Sequence, residues 1–382
     1  MSERVVIAGG GPAGLATARA YRGAGGAAEV VLLCGERHLP YQRPPLSKEL
    51  LRGDASVDEL PIEPEAFYAE HDIDMRLGVR ATTLDRDARS VRAGDEELAY
   101  GALVIATGSV PLRPPIPGAE NAAVHTLRTR DDALALRDAA VPGGRAAVVG
   151  AGFIACEAAA SLARRGLHTT LVAPEDVPQA PRLGDRAGRL LAAWLAEEEG
   201  VDVRMGETVA SVSPHELVLG GGGRVHADLV LLATGVAPAS ELAAAAGLVL
   251  EDGAIVVDAS MRTADPAVLA VGDVAAAVNT AAGRRLHVEH WGDALAHGEV
   301  AGRVLAGADA TWDTAPGFWS TIGDRVLKHA AWGDGFDAAE VEAEEAGRLV
   351  VRYRRGGQTV GLLAVGDDDA YAAAQAELEG GR

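Results

Sequence analysis

The sequence predicts an α/β protein: two parallel-sheet β–turn–α–β units followed by a smaller α+β segment. Three observations carry that expectation. Two hydrophobic β-runs pass directly into glycine-rich turns: Val5-Val6-Ile7-Ala8 into Gly9-Gly10-Gly11-Pro12-Ala13-Gly14, and Ala146-Ala147-Val148-Val149 into Gly150-Ala151-Gly152-Phe153-Ile154-Ala155. Each turn opens an Ala-rich helical stretch and is followed, about twenty positions on, by an acidic residue. Each half then closes on a strand ending Ala-Thr-Gly, at 106–108 and again at 233–235. This context makes the glycines a dinucleotide fingerprint rather than ordinary turns. The first glycine turns the chain, the second admits a pyrophosphate, and the third packs helix on strand. The diphosphate then sits at a helix N-terminus, where unpaired N–H groups and the helix dipole favour an anion.

Taken in order, residues 4–8 read as a strand, about 12–23 as a helix and 29–33 as a second strand. A Pro-rich irregular stretch runs from His38 to Lys48, a strand spans 102–107, and Pro-rich residues 111–118 look like a linker. The second β–turn–α–β covers 146–173, followed by a helix near 184–199 and strands at 201–205 and 216–219. Thr263 to Asp273 forms a Thr-x-Asp-Pro turn, a short strand and a Gly-Asp pair, before a helix from about 292 to 306. The tail changes period: Leu349–Tyr353 and Val360–Val365 read as antiparallel strands and 367–379 as a final helix. The expected organisation is one nucleotide domain of 1–110 and 229–312, interrupted by a second at 111–228, with a C-terminal domain at 313–382.

Composition narrows the function classes. With 382 residues, 48% hydrophobic and 24% charged, the chain is that of an ordinary globular protein of two or three domains. No apolar run approaches the roughly twenty residues of a membrane span. Net charge is −20, from 35 basic and 55 acidic residues, which disfavours nucleic acid and anionic membranes as partners. Cys34 and Cys156 form no C-x-x-C, and a strand starting at Arg4 leaves no room for a signal peptide, so the expected setting is cytoplasmic. No His/Cys/Asp cluster has metal-ligand spacing, and no nucleophile motif accompanies His290 or His297.

Several side chains can carry chemistry. Glu36 stands where a carboxylate accepts hydrogen bonds from an adenosine ribose. In the second unit Ala173 occupies the matching place, and Glu175 and Asp176 follow it. Glu157 lies on the first turns of the helix after the second glycine loop and so faces the crevice between domains. Asp273 can accept from sugar hydroxyls, and Trp291 can shield an aromatic cofactor edge.

Over nearly its whole length the chain resembles the FAD-dependent ferredoxin reductases of bacterial monooxygenase and dioxygenase systems. The motifs are Gly9–Gly14, Pro40-Tyr41-Gln42-Arg43-Pro44-Pro45-Leu46-Ser47-Lys48, Ala106-Thr107-Gly108-Ser109, Leu127-Arg128-Thr129, Gly150–Glu157, Ala233-Thr234-Gly235, Thr263–Asp273, His290-Trp291 and Phe318-Trp319-Ser320. The resemblance implies two Rossmann-like domains of the glutathione-reductase type plus a small α+β domain. It implies an oxidoreductase that passes electrons from NADH (NADPH possible) through FAD to a ferredoxin-type iron–sulfur protein. It makes Lys48 and Glu157 a pair beside the flavin and gives Arg43 and Arg128 contacts to FAD. The remaining expected cofactor contacts are Gly9, Gly11, Pro12, Ala13, Gly14, Glu36, Ala106, Thr107, Gly108, Gly150, Gly152, Phe153, Ile154, Glu175, Thr234, Gly235, Gly272, Asp273, His290 and Trp291. Ala155 departs from the usual third glycine, Ala173 from the usual acid and Thr321 from the common Asp. A basic patch of Arg303, Arg325 and Lys328 is the expected ferredoxin contact, and the assembly is monomeric or dimeric. The alternatives are a quinone reductase or oxidase, and a redox-responsive binding protein related to apoptosis-inducing factor. A disulfide reductase needs a Cys pair beside the flavin, which the sequence lacks.

Overall fold

A computed structural model describes residues 4–345 and 347–380; the outer ends of the expected 1–110 and 313–382 segments lie outside them. Val5–Ala8, the helix Pro12–Gly23 and Val30–Cys34 form the first β–α–β unit. Its strands are fully buried Val/Leu/Ile runs, as a sheet covered on both faces requires. The five-stranded parallel sheet has the order Val268–Ala270, Ala102–Ile105, Val5–Ala8, Val30–Cys34, Ile73–Leu77. Helix Trp291–Leu305 crosses Pro12–Gly23 closely, because Gly298 and Gly302 carry no Cβ. A Cβ there would sit 2.3 Å from the Ala13 carbonyl oxygen or 2.5 Å from that of Thr17. That contact sets the N-terminus of the second helix beside the first glycine loop.

The second parallel sheet has the order Asp202–Met205, His168–Ala173, Arg145–Val149, Leu229–Leu232. The expected boundary at 228/229 is therefore wrong. Leu229–Leu232 pairs with Ala146–Val149 and completes the second sheet instead of returning to the first. The crossing between halves comes later, where Val236–Pro238 pairs antiparallel with Ser109–Pro111. The expected 184–199 helix is present: Gly184, at φ +72° and ψ −178°, breaks the backbone within Ala180–Ala193, and the helix that follows the break runs on into a π-helical turn at Trp194–Glu198.

The C-terminal sheet is antiparallel, ordered Gly317–Ile322, Arg325–Ala331, Gln358–Val365, Arg348–Arg355, Ala338–Glu345, with helix Asp368–Gly380 packed on it. Its first strand also touches helices Phe153–Arg164 and Trp291–Leu305, so all three sheets meet around one opening. Among the described residues no helix is long and apolar enough to cross a membrane.

Candidate functional site

One cavity of about 1190 Å³ joins the two glycine loops and ends against the C-terminal sheet. Of the expected contacts, Gly9, Gly11, Pro12, Ala13, Glu36, Arg43, Lys48, Ala106, Thr107, Gly108 and Arg128 line it. So do Gly152, Phe153, Ile154, Glu157, Gly235, Gly272, Asp273, His290 and Trp291. Four expected contacts do not: Gly14, Gly150, Glu175 and Thr234.

The reasons differ. A Cβ on Gly14 would lie 1.9 Å from the Gly9 carbonyl oxygen, and one on Gly150 would lie 2.3 Å from that of Ala233. Both glycines therefore serve close backbone approach rather than contact. Thr234 turns its hydroxyl to the Leu112 carbonyl, in the crossing ribbon. The chain turns at Pro174 after the strand ends at Ala173, and Glu175 holds a buried carboxylate oxygen that meets no hydrogen-bond partner. Its carbonyl accepts from Gly206.

At the first glycine loop, Glu36 is already held. Tyr41 donates to one carboxylate oxygen at 2.5 Å and Arg43 to the other at 2.8 Å. Arg43 also donates to the Arg128 carbonyl at 2.7 Å. The Arg128 guanidinium in turn donates to Asp273 at 2.8 Å, an oxygen that Ser109 also reaches at 2.8 Å. Tyr41, Glu36, Arg43, Arg128 and Asp273 thus form a continuous polar chain along the cavity wall. Burial pushes the Tyr41 phenol above its ordinary value.

At the junction, Lys48 and Glu157 form an ion pair of 2.7 Å with both side chains only 7% exposed. Glu157 has two more donors: Ser47 at 2.5 Å on the Lys48-facing oxygen and Ser320 at 2.6 Å on the other. Lys48 also donates to the Pro44 carbonyl at 2.9 Å, which leaves one of its three N–H groups uncommitted. A buried pair is tolerated only when its remaining polar valences are met, and the two serines do that. Neither serine was expected as a site residue. Ser47 adjoins Lys48 and Ser320 ends the Phe318-Trp319-Ser320 motif, but their convergence on Glu157 is tertiary.

The second loop is sparser. Gln179, at the N-cap of Ala180–Ala193 with φ +57°, lines the cavity beside Gly152 and carries no sequence signal. Arg182 also lines the cavity, where burial lowers its pKa. Its guanidinium lies 5.7 Å from the Phe318 ring centroid and donates to His290 Nε2 at 3.2 Å. His290 then offers Nδ1–H to Asp293 at 3.1 Å. Phe318 packs edge-on to Phe153, with ring centroids 4.8 Å apart.

The cysteines take no part in thiolate chemistry: both are buried and free, and burial pushes each thiol up to about 12. The expected basic patch is largely committed elsewhere. Arg325 pairs with Glu198 at 2.9 Å and Lys328 with Asp368 at 2.7 Å. Only Arg303 of the three is without an ion pair among the described residues.

Residues 3–298 match the family model described as pyridine nucleotide-disulphide oxidoreductase. The chain is 38% identical over 331 residues to the anthranilate 1,2-dioxygenase system ferredoxin–NAD(+) reductase component of Burkholderia cepacia, covering 84% of this chain and 79% of that one. It is 34% identical over 383 residues to the biphenyl dioxygenase system ferredoxin–NAD(+) reductase component of Paraburkholderia xenovorans, covering 98% and 90%. In the solved structure of a covalent putidaredoxin reductase–putidaredoxin complex, one chain superposes with a TM-score of 0.93. It is 29% identical, with 99% of this chain and 93% of that chain covered.

Proposed function

Because this chain belongs to the pyridine nucleotide-disulphide oxidoreductase family, we propose that it is a flavoprotein reductase taking electrons from NADH, through FAD, to a ferredoxin-type iron–sulfur protein. The observation that carries this reading is the single cavity joining both glycine loops, with the buried Lys48–Glu157 pair at their junction. Two dinucleotides entering from opposite ends meet there.

The residues present fit FAD. Gly9 has φ +134°, and a Cβ on it would lie 2.0 Å from the Ala106 carbonyl oxygen. Only glycine therefore lets the loop close on the strand end and present its N–H groups to a diphosphate. Gly11 has open space where a side chain would project, as a pyrophosphate seat requires. Glu36 would take the adenosine ribose, Arg43 and Arg128 the phosphates, and Asp273 the ribityl hydroxyls. When bound, FAD supplies the conversion of one hydride into two single electrons.

The protein supplies position and charge. Gly152, Phe153, Ile154 and Gln179 would seat the nicotinamide nucleotide. Lys48 would hold positive charge where negative charge develops, fixed in place by Glu157 and the Pro44 carbonyl. With both thiols buried, electrons leave without a disulfide relay. The domains follow from the sheets: FAD on the segments before Pro111 and after Val236, NADH on the part between, and acceptor contact on 313–382. Trp319, 47% exposed at the cavity mouth, is the largest apolar group offered to an acceptor. A cytoplasmic setting belongs to the same reading, in keeping with two free thiols.

The purified protein should carry one non-covalently bound FAD and should reduce cytochrome c with NADH only when a ferredoxin is added. Colourless protein that takes up no FAD ends the reading. A rate no higher with several ferredoxins than without them replaces it by a quinone reductase or oxidase.

A further inference from the structure

Three separate parts of the fold meet at Glu157. Ser47 and Lys48 come from the Pro44–Lys48 turn of the first half, Glu157 itself from the helix after the second glycine loop, and Ser320 from the C-terminal sheet. Ser320 is 1% exposed and lies 163 residues away in sequence. Its 2.6 Å bond is the contact that ties the Glu157 carboxylate to the C-terminal sheet, and it takes the oxygen that Lys48 does not.

The strand Gly317–Ile322 has two faces. Side chains alternate along it, so Phe318 and Ser320 point inward, onto Phe153, His290 and Glu157. Trp319, between them, points to the cavity mouth and is half exposed. One strand therefore touches the buried charge pair on one face and solvent on the other.

We infer that Ser320 is a positioning residue for the Lys48–Glu157 pair, through which the C-terminal sheet sets the orientation of Glu157 and hence of the Lys48 ammonium. The inference rests on the flavoprotein reading above. Without the hydroxyl, one oxygen of a buried carboxylate loses its partner. A carboxylate rotated to recover a donor changes the geometry of the Lys48 bond. A hydrogen bond to a charged group carries enough energy for about a tenfold effect on the step it supports. The effect belongs to kcat and to the flavin potential. FAD uptake and the KM for NADH depend on the glycine loops and stay near those of the parent.

The test is a double-mutant cycle on the FAD-loaded full chain, joining Ser320→Ala with Lys48→Met. Two readouts are taken: the stopped-flow rate of flavin reduction by NADH, and the flavin midpoint potential by dye equilibration. Ser320→Ala should slow reduction about tenfold and move the potential, with FAD content unchanged. In the Lys48→Met background it should do neither, and Ser320→Thr should restore both values. Equal effects in the two backgrounds, or no effect in either, overturn the inference. The wild-type NADH reduction would still stand, so the flavoprotein reading survives that failure. If Ser320→Ala loses FAD, Ser320→Cys takes its place in the cycle, and additivity there is equally decisive.

Discussion

The two glycine loops began from nearly the same sequence pattern and ended in different states. Around the first, Glu36 is gripped by Tyr41 and Arg43, and a polar chain runs on to Asp273. Around the second, the matching strand ends in Ala173, Glu175 stays out of the cavity with an unpartnered oxygen, and Gln179 and Arg182 are the polar groups at hand. The glycines tell the same story. Both loops close on a glycine with no room for a Cβ, Gly9 and Gly150, but the first needs a further one at Gly14 where the second holds the fully buried Ala155. A site wired before its ligand arrives suits a resident cofactor, because ordering costs are met during folding. A sparsely wired one suits a nucleotide that must leave every turnover.

The strongest way to break this comparison is at the buried ion pair between the halves. Lys48→Ala leaves Glu157 buried with two serine donors and no cation. Removing one partner of a fully buried pair costs about 3–5 kcal/mol. Much of that should appear as lower unfolding free energy, and the rest as slower flavin reduction by NADH. Urea unfolding that matches the parent, with an unchanged reduction rate, would remove the pair from both the joint and the mechanism.

Acid should loosen the frame behind both loops. His297 is buried beneath Gly272, whose N–H it accepts through Nδ1, and burial lowers its pKa to about 4. His329 lies buried under Phe318, its pKa lowered to about 3 by burial and then by Arg182. The unfolded chain thus binds more protons below the ordinary histidine value near 6.5. Stability is full above that value and falls as pH drops toward about 4, by about 1.4 kcal/mol per pH unit for each histidine. Urea midpoints from pH 7.5 to 5 measure this. His297→Asn, which keeps an acceptor for Gly272, should remove about half of the slope.

The third effect contrasts the loops directly. Gly14→Ala drives a Cβ toward the Gly9 carbonyl and should cost about 1–3 kcal/mol as overpacking, with FAD lost in proportion. The counterpart change, Ala155→Gly, removes a methyl from a helix and should cost only about 1 kcal/mol, with NADH still bound. Flavin content and melting temperature of the two variants decide it. Equal losses of FAD would show that the loops are equally demanding.

How much of this was legible depended on range. Glu36 and Asp273 sit in local motifs whose chemistry follows from a few neighbouring residues, while Lys48 is legible through the resemblance that its Arg-Pro-Pro-Leu-Ser-Lys motif carries. Ser320 could not be assigned to Glu157, because their meeting depends on how a C-terminal strand packs against a helix of another unit. The misplaced boundary at 228/229 has another cause. A boundary there puts both Ala-Thr-Gly strands in one domain, yet Ala102–Ile105 pairs with Val5–Ala8 and Leu229–Leu232 pairs with Ala146–Val149. The repeat held the right answer: each strand completes the sheet of its own fingerprint. For Arg325 and Lys328 the sequence shows the charge but not the nearby Glu198 and Asp368 that pair with them.

The smallest expected effect sharpens the contrast where the two loops read a ribose. NADPH needs a cation near the end of the strand His168–Ala173, where the 2′-phosphate would fall. Arg182 is the basic side chain nearest in sequence on the downstream side, and the structure turns it elsewhere: over the Phe318 ring and onto His290 Nε2. Glu175 and Asp176 add negative charge near the strand end instead. NADH should therefore be preferred by at least about tenfold in kcat/KM, equivalent to about 1.4 kcal/mol. Because Glu175 lines no part of the cavity, Glu175→Ala should shift that ratio by less than about threefold, equivalent to about 0.7 kcal/mol. Glu36→Ala, which strips Tyr41 and Arg43 of their shared acceptor, should weaken FAD binding by more than that. Steady-state kinetics with both nucleotides and FAD titration of the stripped protein give the three numbers. A preference for NADPH, or a Glu175→Ala effect larger than that of Glu36→Ala, would reverse the assignment of held and unheld carboxylates.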